Sequence, residues 1–282
     1  AAGLSASVAA LEAGNRLALA NKESLVAGGP VIEKALATPG AELVPVDSEH
    51  SALFQLLAGR ERSEIRRLIL SASGGPFRGM TPARLAEVTP EQALKHPTWE
   101  MGPRITIDSA TLMNKALEVI EAHFLFGFDY DDIEVIVHPQ SIVHSLVELV
   151  DGSLLAHMGQ PDMRLPLRYA FTHPGRARSL GRAFSLPGVA LTFEDPDLSA
   201  FPCLRLGYEA GRAGGSAPAV LNAADEIAVR AFLDGRIGFN SIPVVVERTL
   251  ADVEHRPVGS VEDVLEADEA ARAVAAGHVG SC

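Results

Sequence analysis

Apolar positions in the first quarter of the chain alternate between strand-length runs and helical spacing. Residues 8–12 read as the end of a helix closed by Gly14, and 16–20 as a short apolar strand. Residues 24–36 read as a helix interrupted near Gly28-Gly29-Pro30, 43–46 as a buried strand, and the stretch after Asp47 as a helix to Leu57. This strand–helix–strand–helix order is the tail of an α/β domain. Residues 65–71 predict a further strand. Residues 73–103 are rich in Gly and Pro and predict a long loop with one short helix. A loop this long in a compact domain is usually a lid or a binding loop.

Residues 109–126 give the strongest helical pattern, with Ser109 as its cap and Gly127 as its stop. Ala110, Leu112, Met113, Ala116, Leu117, Ile120 and Phe124 share one face; Thr111, Asn114, Lys115 and Glu118 cluster on the other. Residues 133–137, 142–150 and 153–158 predict strands, with Asp151-Gly152 as a hairpin turn between the last two. Residues 172–199 carry prolines and little periodicity, as a linker does. From residue 201 the spacing is helical: 202–213, 217–234 with Pro218 in its first turn, a third helix after Asn240-Ser241, and a fourth from a Ser260/Asp263 capping box. The predicted fold is an α/β segment, an α+β domain and a C-terminal helical bundle.

Composition narrows the function. The 282 residues are 47% apolar and 21% charged, an ordinary globular balance. A net charge of −12 argues against a nucleic-acid surface, though not against a small anionic substrate held by a few local groups. Two cysteines, Cys203 and Cys282, build neither a disulfide framework nor a zinc site, so a reducing compartment is expected. No apolar run has transmembrane length, and no membrane role is expected. The chain opens on Ala1 with no basic n-region, so no signal peptide is read and the true amino terminus is expected to lie upstream.

Candidate chemistry sits at the element ends. Asp47 and Glu49 directly follow a strand. If the backbone stays extended, both carboxylates point to one side and offer hard oxygen ligands to magnesium or manganese; equally, Asp47 or Ser48 caps the next helix. Asn114, Lys115 and Glu118 are helical neighbours. They form either a solvated face or a phosphate grip aided by a helix N-terminus, with Glu118 a further metal ligand. Ser73-Gly-Gly-Pro is a second candidate anion contact. His96, Trp99 (the only tryptophan) and Met101 sit in the long loop, either closing over a substrate or anchoring the loop by burial. His138 and His144 lie on strands and read as structural.

Together these segments resemble the 1-deoxy-D-xylulose 5-phosphate reductoisomerase family. The strings are LALANKESLV at 17–26, VPVDSEHSALFQ at 44–55, SASGGPFRG at 71–79, HPTWEMGPRITIDSATLMNKALEVIEAHFLFG at 96–127, VIVHPQSIVHSLVE at 135–148, GQPDMRLP at 159–166 and APAVLNAADEIAV at 217–229. They follow the family's order over nearly the whole chain.

The resemblance implies that Asp47, Glu49 and Glu118 bind one divalent metal. It implies phosphate contacts at Ser73, Ser109, Asn114 and Lys115, and substrate contacts at Lys22, Ser48 and His96, with Glu49, Lys22 and His96 catalytic. Trp99 and Met101 match the flap, here 73–103; Asn21, Glu23 and Gly102 match positions near the NADPH. Residues 1–46 are then the remnant of a Rossmann-like NADPH-binding domain whose earlier phosphate loop is not in the sequence. Residues 47–171 form the catalytic domain, 172–199 a linker and 200–282 the bundle. Asp225 stands where the family commonly has Asn and is read as outside the site. The implied reaction is NADPH- and metal-dependent rearrangement and reduction of 1-deoxy-D-xylulose 5-phosphate to 2-C-methyl-D-erythritol 4-phosphate, in isoprenoid precursor synthesis. The implied setting is a homodimer in a bacterial cytoplasm rather than a plastid. Two other classes fit parts of the pattern: a metal-dependent sugar-phosphate aldolase or isomerase without nicotinamide, and a non-catalytic binding or dimerisation fragment.

Overall fold

In the computed structural model, residues 2–179 and 184–281 are described; Cys282 lies outside them. Helix α1 (Leu4–Glu12) leads into β1 (Arg16–Leu19), α2 (Lys22–Leu36) and β2 (Glu42–Pro45). β1 and β2 pair in parallel, with Leu17 opposite Leu43. The interruption expected in α2 is present at Gly28, whose backbone leaves helical angles. α3 (Ser48–Leu57) follows β2 after only two residues.

β3 (Ile65–Ala72) is the centre of a second sheet, with strand order β4-β3-β5-β6. β4 (Ile133–Val137) runs parallel to β3; β5 (Val143–Leu149) and β6 (Leu154–Met158) complete an antiparallel hairpin beside it. β3 is buried at nearly every position, as expected of a central strand covered on both faces. β6, at the edge, alternates between exposed and half-buried.

The crossover from β3 to β4 holds the long loop and the helices that frame the site. The loop contains two short helices rather than one, α4 (Pro82–Leu85) and α5 (Pro90–Ala93). The single helix expected over 109–126 is instead two: α6 (Pro103–Thr111) and α7 (Met113–Phe126). Leu112 breaks them apart with φ +63°, a left-handed conformation that leucine rarely adopts. Ser109 therefore lies in the last turn of α6 and does not cap the downstream helix.

α8 (Arg164–Thr172) precedes an irregular segment that is tied to the sheet rather than free. Glu194 bridges to Val137, and the Thr192 carbonyl lies 2.8 Å from His138 Nδ1. The bundle consists of α9 (Cys203–Ala213), α10 (Ala217–Leu233), α11 (Ser241–Asp252) and α12 (Val261–Val279). The Ser260/Asp263 capping box starts α12 as expected. The largest core joins β3, α6 and α7 to α9, α10 and α11; a second joins α1, α2 and β1 to α10 and α12. Gly207 lets α9 approach α7 closely, since a Cβ there would lie 2.4 Å from that of Ala116.

Candidate active site

Strand ends and helix starts converge on one pocket at the C-terminal ends of β2 and β3, where open α/β sheets bind ligands. β2 delivers Asp47, β3 delivers Ser73, α2 delivers Lys22, and the first turns of α7 deliver Asn114, Lys115 and Glu118. Ser48, Glu49, His96, Trp99, Met101 and Ser109 also line it. Every metal, substrate and flap residue expected from the sequence is thus brought together. Asn21, Glu23 and Gly102 are not among the lining residues. Asn21 Nδ2 donates to Glu23 Oε2 at 2.7 Å, and Gly102 begins α6.

The backbone after β2 turns helical at Ser48 instead of staying extended. Asp47 caps α3, accepting from Glu49 N at 3.3 Å, and still presents its carboxylate to the pocket. The cap and the ligand readings of Asp47 are compatible. Glu49 is fixed through its backbone carbonyl, which accepts from Ser145 Oγ of β5 at 3.0 Å. Its Oε2 accepts from Ser48 Oγ at 2.6 Å.

Two ammonium groups lie between the three carboxylates. Lys22 pairs with Asp47 and with Glu118 Oε1 at 3.2 Å; it also donates to Asn114 Oδ1 at 3.0 Å. Lys115 pairs with Glu49 Oε1 at 2.8 Å and with Glu118. Glu118 is 1% exposed and Lys115 4%, so this face of α7 is not solvated. Burial, then Asp47 and Glu49, push the Glu118 carboxyl up against the pull of Lys115 and Lys22. Burial opposes the Lys22 charge, but Asp47, Glu118 and Glu121 outweigh it and hold that ammonium well above its usual range. Asp47 is held well below the usual carboxylate range: burial opposes this, and Lys22 and His50 overcome it.

Two of the three expected ligands, Asp47 and Glu118, fit a hard divalent cation together; Glu49 is not in the group whose ligand atoms lie within 4.8 Å of one another. Asp47, His50 and Glu118 offer ligand atoms within 4.8 Å of one another. Of the three, His50 does not line the pocket. Its Nε2 faces the Glu118 backbone carbonyl at 2.9 Å, a bond that only a protonated nitrogen can make. Its Nδ1 lies 3.1 Å from Asp47 Oδ1 and 3.2 Å from Glu121 Oε2. His50 therefore supports two of the acids from behind, while oxygen from Asp47, Glu49 and Glu118 faces the cavity. Carboxylate oxygen suits magnesium or manganese.

His96 Nε2 lies 3.0 Å from Ser73 Oγ and 3.1 Å from Ser109 Oγ. His96 Nδ1 accepts from the backbone N–H groups of Thr98 and Trp99 at 3.2 and 3.0 Å. An accepting Nδ1 means a neutral ring with its proton on Nε2, and burial lowers the His96 pKa accordingly. The loop thus folds inward onto both serines. Gly74 and Gly75 have φ of +80° and +66°, and a Cβ on Gly75 would lie 2.8 Å from the Ser109 carbonyl. Only glycine permits that turn to lie against α6.

Sequence reasoning missed four residues here. His50 and Glu121 are wholly buried behind the acids. Ser141, at φ +51°, lines the pocket and lies 3.4 Å from Thr98 of the loop. His144 lines the pocket too, whereas His138 is structural as expected, stacked on Phe193. A non-glycine at positive φ has no sequence signature, and a strand histidine looks the same whichever face it serves.

Comparison with known proteins gives the family. Family profiles described as the 1-deoxy-D-xylulose 5-phosphate reductoisomerase C-terminal domain, the DXP reductoisomerase C-terminal domain and 1-deoxy-D-xylulose 5-phosphate reductoisomerase match residues 43–126, 158–274 and 1–29. The chain is 57% identical over 274 residues to 1-deoxy-D-xylulose 5-phosphate reductoisomerase of Xanthomonas campestris pv. campestris strain B100, covering 96% of this chain and 69% of the relative. It is 54% identical to that of Desulforamulus reducens, covering 99% and 73%. Among solved structures it is similar to the Zymomonas mobilis enzyme in complex with NADPH, with TM-score 0.94, 46% identity and coverage of 100% and 73%. A DOX-P reductoisomerase in complex with NADPH, fosmidomycin and magnesium gives TM-score 0.91 and 39% identity, covering 99% and 73%. With sequence identity above half and a matching fold along nearly all its length, the chain belongs to the 1-deoxy-D-xylulose 5-phosphate reductoisomerase family.

Proposed function

We propose that the pocket binds 1-deoxy-D-xylulose 5-phosphate for conversion to 2-C-methyl-D-erythritol 4-phosphate, with Asp47, Glu49 and Glu118 holding a divalent cation and NADPH as reductant. The observation that carries the reading is the convergence of these three carboxylates, from α3 and α7, around the Lys22 and Lys115 ammonium groups. Its family and the magnesium and NADPH complexes of its structural neighbours support it, and they favour it over a nicotinamide-free aldolase or a non-catalytic fragment.

When bound, the cation supplies Lewis-acid polarisation of substrate oxygens, and NADPH supplies the hydride. The chain's own residues do the rest. Ser73, Ser109, Asn114 and Lys115 grip the phosphate, and that remote binding energy orients the carbon chain. Lys22, Ser48 and Glu49 face the reacting end, where Glu49, held by the Ser48 hydroxyl at 2.6 Å, is placed to assist proton transfer. His96, Trp99 and Met101 close the pocket and exclude water. Asn21, Glu23 and Gly102 lie toward the nicotinamide.

The reading extends to organisation and setting. Residues 1–46 complete a dinucleotide domain, 47–171 the catalytic domain with its flap at 73–103, and 172–199 link it to the bundle at 200–282. The parallel β1–β2 pair, separate from the main sheet, supports that division. The family resemblance implies a homodimer in a bacterial cytoplasm, and the relatives support the bacterial setting alone. Among the described residues no helix is long and apolar enough to cross a membrane.

The test is NADPH oxidation by the full-length protein. It should require both 1-deoxy-D-xylulose 5-phosphate and magnesium or manganese. Oxidation that proceeds equally well with the cation chelated would refute the reading.

A further inference from the structure

α6 carries a second cluster of ionisable groups that does not line the pocket. Asp108 on α6 and Asp225 on α10 are 2% and 0% exposed. Both carboxyls flank the same guanidinium, that of Arg104, and the charge of Asp225 pushes Asp108 up. Asp108 Oδ1 and both Asp225 oxygens have no N–H or O–H donor. Arg104, one turn earlier on α6, is the cation that flanks both acids among the described residues. Its Nε lies 3.5 Å from Asp108 Oδ2 and its Nη2 3.6 Å from Asp225 Oδ2, both beyond good hydrogen bonds. Its best donors are committed to Asn222 Oδ1 at 2.7 Å and Glu226 Oε1 at 2.8 Å.

Further ionisable groups surround the pair. Glu23 of α2 approaches Arg104 at 3.8 Å, and Arg272 of α12 pairs with the far side of Glu226. Cys203 of α9 is buried, and its thiol is pushed up by burial and then by Asp225 and Asp108. Two buried carboxylates beside one guanidinium, away from water, cannot both stay charged at modest expense. A proton on the pair supplies the donor that their unpartnered oxygens lack. Burial, then Asp225, push Asp108 well above the usual range, and burial pushes Asp225 up to about 6.

We infer that Asp108 and Asp225 share one proton as an acid–carboxylate pair, and that this pair, pinned by Arg104, docks α6 against α10 so that Ser109 and the flap exit at Gly102 are positioned for the substrate phosphate. α6 is the strut between these points: the flap residues Trp99 and Met101 precede it, and Ser109 immediately follows Asp108. Both acids are positioning residues. This second half rests on Ser109 being a phosphate contact; the shared proton does not.

The sign of the pH effect follows. An acid whose pKa is higher folded than unfolded contributes stability that is fully present below the unfolded value of about 4 and is lost as pH rises through the folded value. Asp225→Asn supplies a permanent N–H donor and removes that loss.

The test compares the full-length protein with Asp225→Asn and Asp225→Ala. Infrared difference spectra at neutral pH, unsubstituted protein minus Asp225→Asn, should show a protonated-carboxyl C=O band. The thermal midpoint of Asp225→Asn should exceed that of the unsubstituted protein at about pH 8.5 but not at about pH 5. Asp225→Ala should raise KM for 1-deoxy-D-xylulose 5-phosphate about fivefold with kcat within about twofold, and Asp225→Asn should restore KM. An absent band, or an Asp225→Asn stability curve parallel to that of the unsubstituted protein, overturns the shared proton. An Asp225→Ala KM that does not move overturns the positioning role. The first two readouts use no substrate, so failure of the Ser109 reading alone affects only KM.

Discussion

His50 and Glu121 meet behind the acids of the pocket, wholly buried, with Nδ1 3.2 Å from Oε2. Burial opposes the imidazolium, yet Glu121 and Asp47 raise His50 to about 9; burial raises Glu121 to about 8 against the pull of His50. A charged His50 donates from both nitrogens, to the Asp47 side and to the Glu118 carbonyl. It thereby fixes the carboxylate of one proposed ligand and the backbone of another.

That arrangement predicts a loss of cation affinity without a change at any ligand. His50→Gln keeps at most part of the hydrogen bonding and should weaken manganese binding about tenfold or more, the size typical of such supporting contacts. Calorimetric titration with manganese checks it. An unchanged affinity would leave His50 a packing residue.

Lys115 faces Glu49 and Glu118 while lining the pocket. Lys115→Ala should raise KM for the phosphate substrate about tenfold or more, with a smaller effect on kcat. It also leaves Glu118 buried with fewer positive neighbours. Added magnesium should therefore raise the thermal midpoint of this variant more than that of the unsubstituted protein. A calorimetric scan with and without magnesium decides the point.

Trp99 is the only tryptophan in the sequence and lines the pocket. Tryptophan fluorescence, excited away from the tyrosines, should therefore report the flap alone. Binding of 1-deoxy-D-xylulose 5-phosphate should shift the emission, and His96→Ala, which removes the links to Ser73 and Ser109, should reduce that shift and raise KM. A spectrum indifferent to substrate would place Trp99 outside the closing segment.

Acid stability offers a prediction away from the pocket's charges. His157 is lowered to about 4 by burial, then by His144 and Arg176. A base with a depressed folded pKa leaves stability intact above its unfolded value of about 6.5 and takes it away as pH falls toward the folded value. Urea midpoints should decline between about pH 6.5 and 4, and His157→Gln should make the decline shallower.

Much of this was readable in the sequence because it depends on local periodicity and on residue types grouped in short strings. The strands, the bundle, the Ser260 cap and the proposed ligand positions Asp47, Glu49 and Glu118 all have such signals. The break at Leu112 has none: a leucine at φ +63° is imposed by packing around it, with Leu112 itself buried. Apolar spacing simply continued through it, so two helices read as one. Likewise, the first turn of α3 begins at Ser48, where a strand exit can extend or coil with equal propensity. His50 and Glu121 were missed because their partners lie on different elements and buried charge is a tertiary property.

The central claim is that Asp47, Glu49 and Glu118 share one cation. A crystal structure soaked in manganese, with anomalous scattering, tests it most directly. The account predicts one ion bound by an oxygen from each of the three residues, at about 2.0–2.3 Å, with the Lys22 and Lys115 ammonium groups displaced from between them. An ion coordinated by His50 in place of Glu49, or one bound away from Glu118, would contradict it.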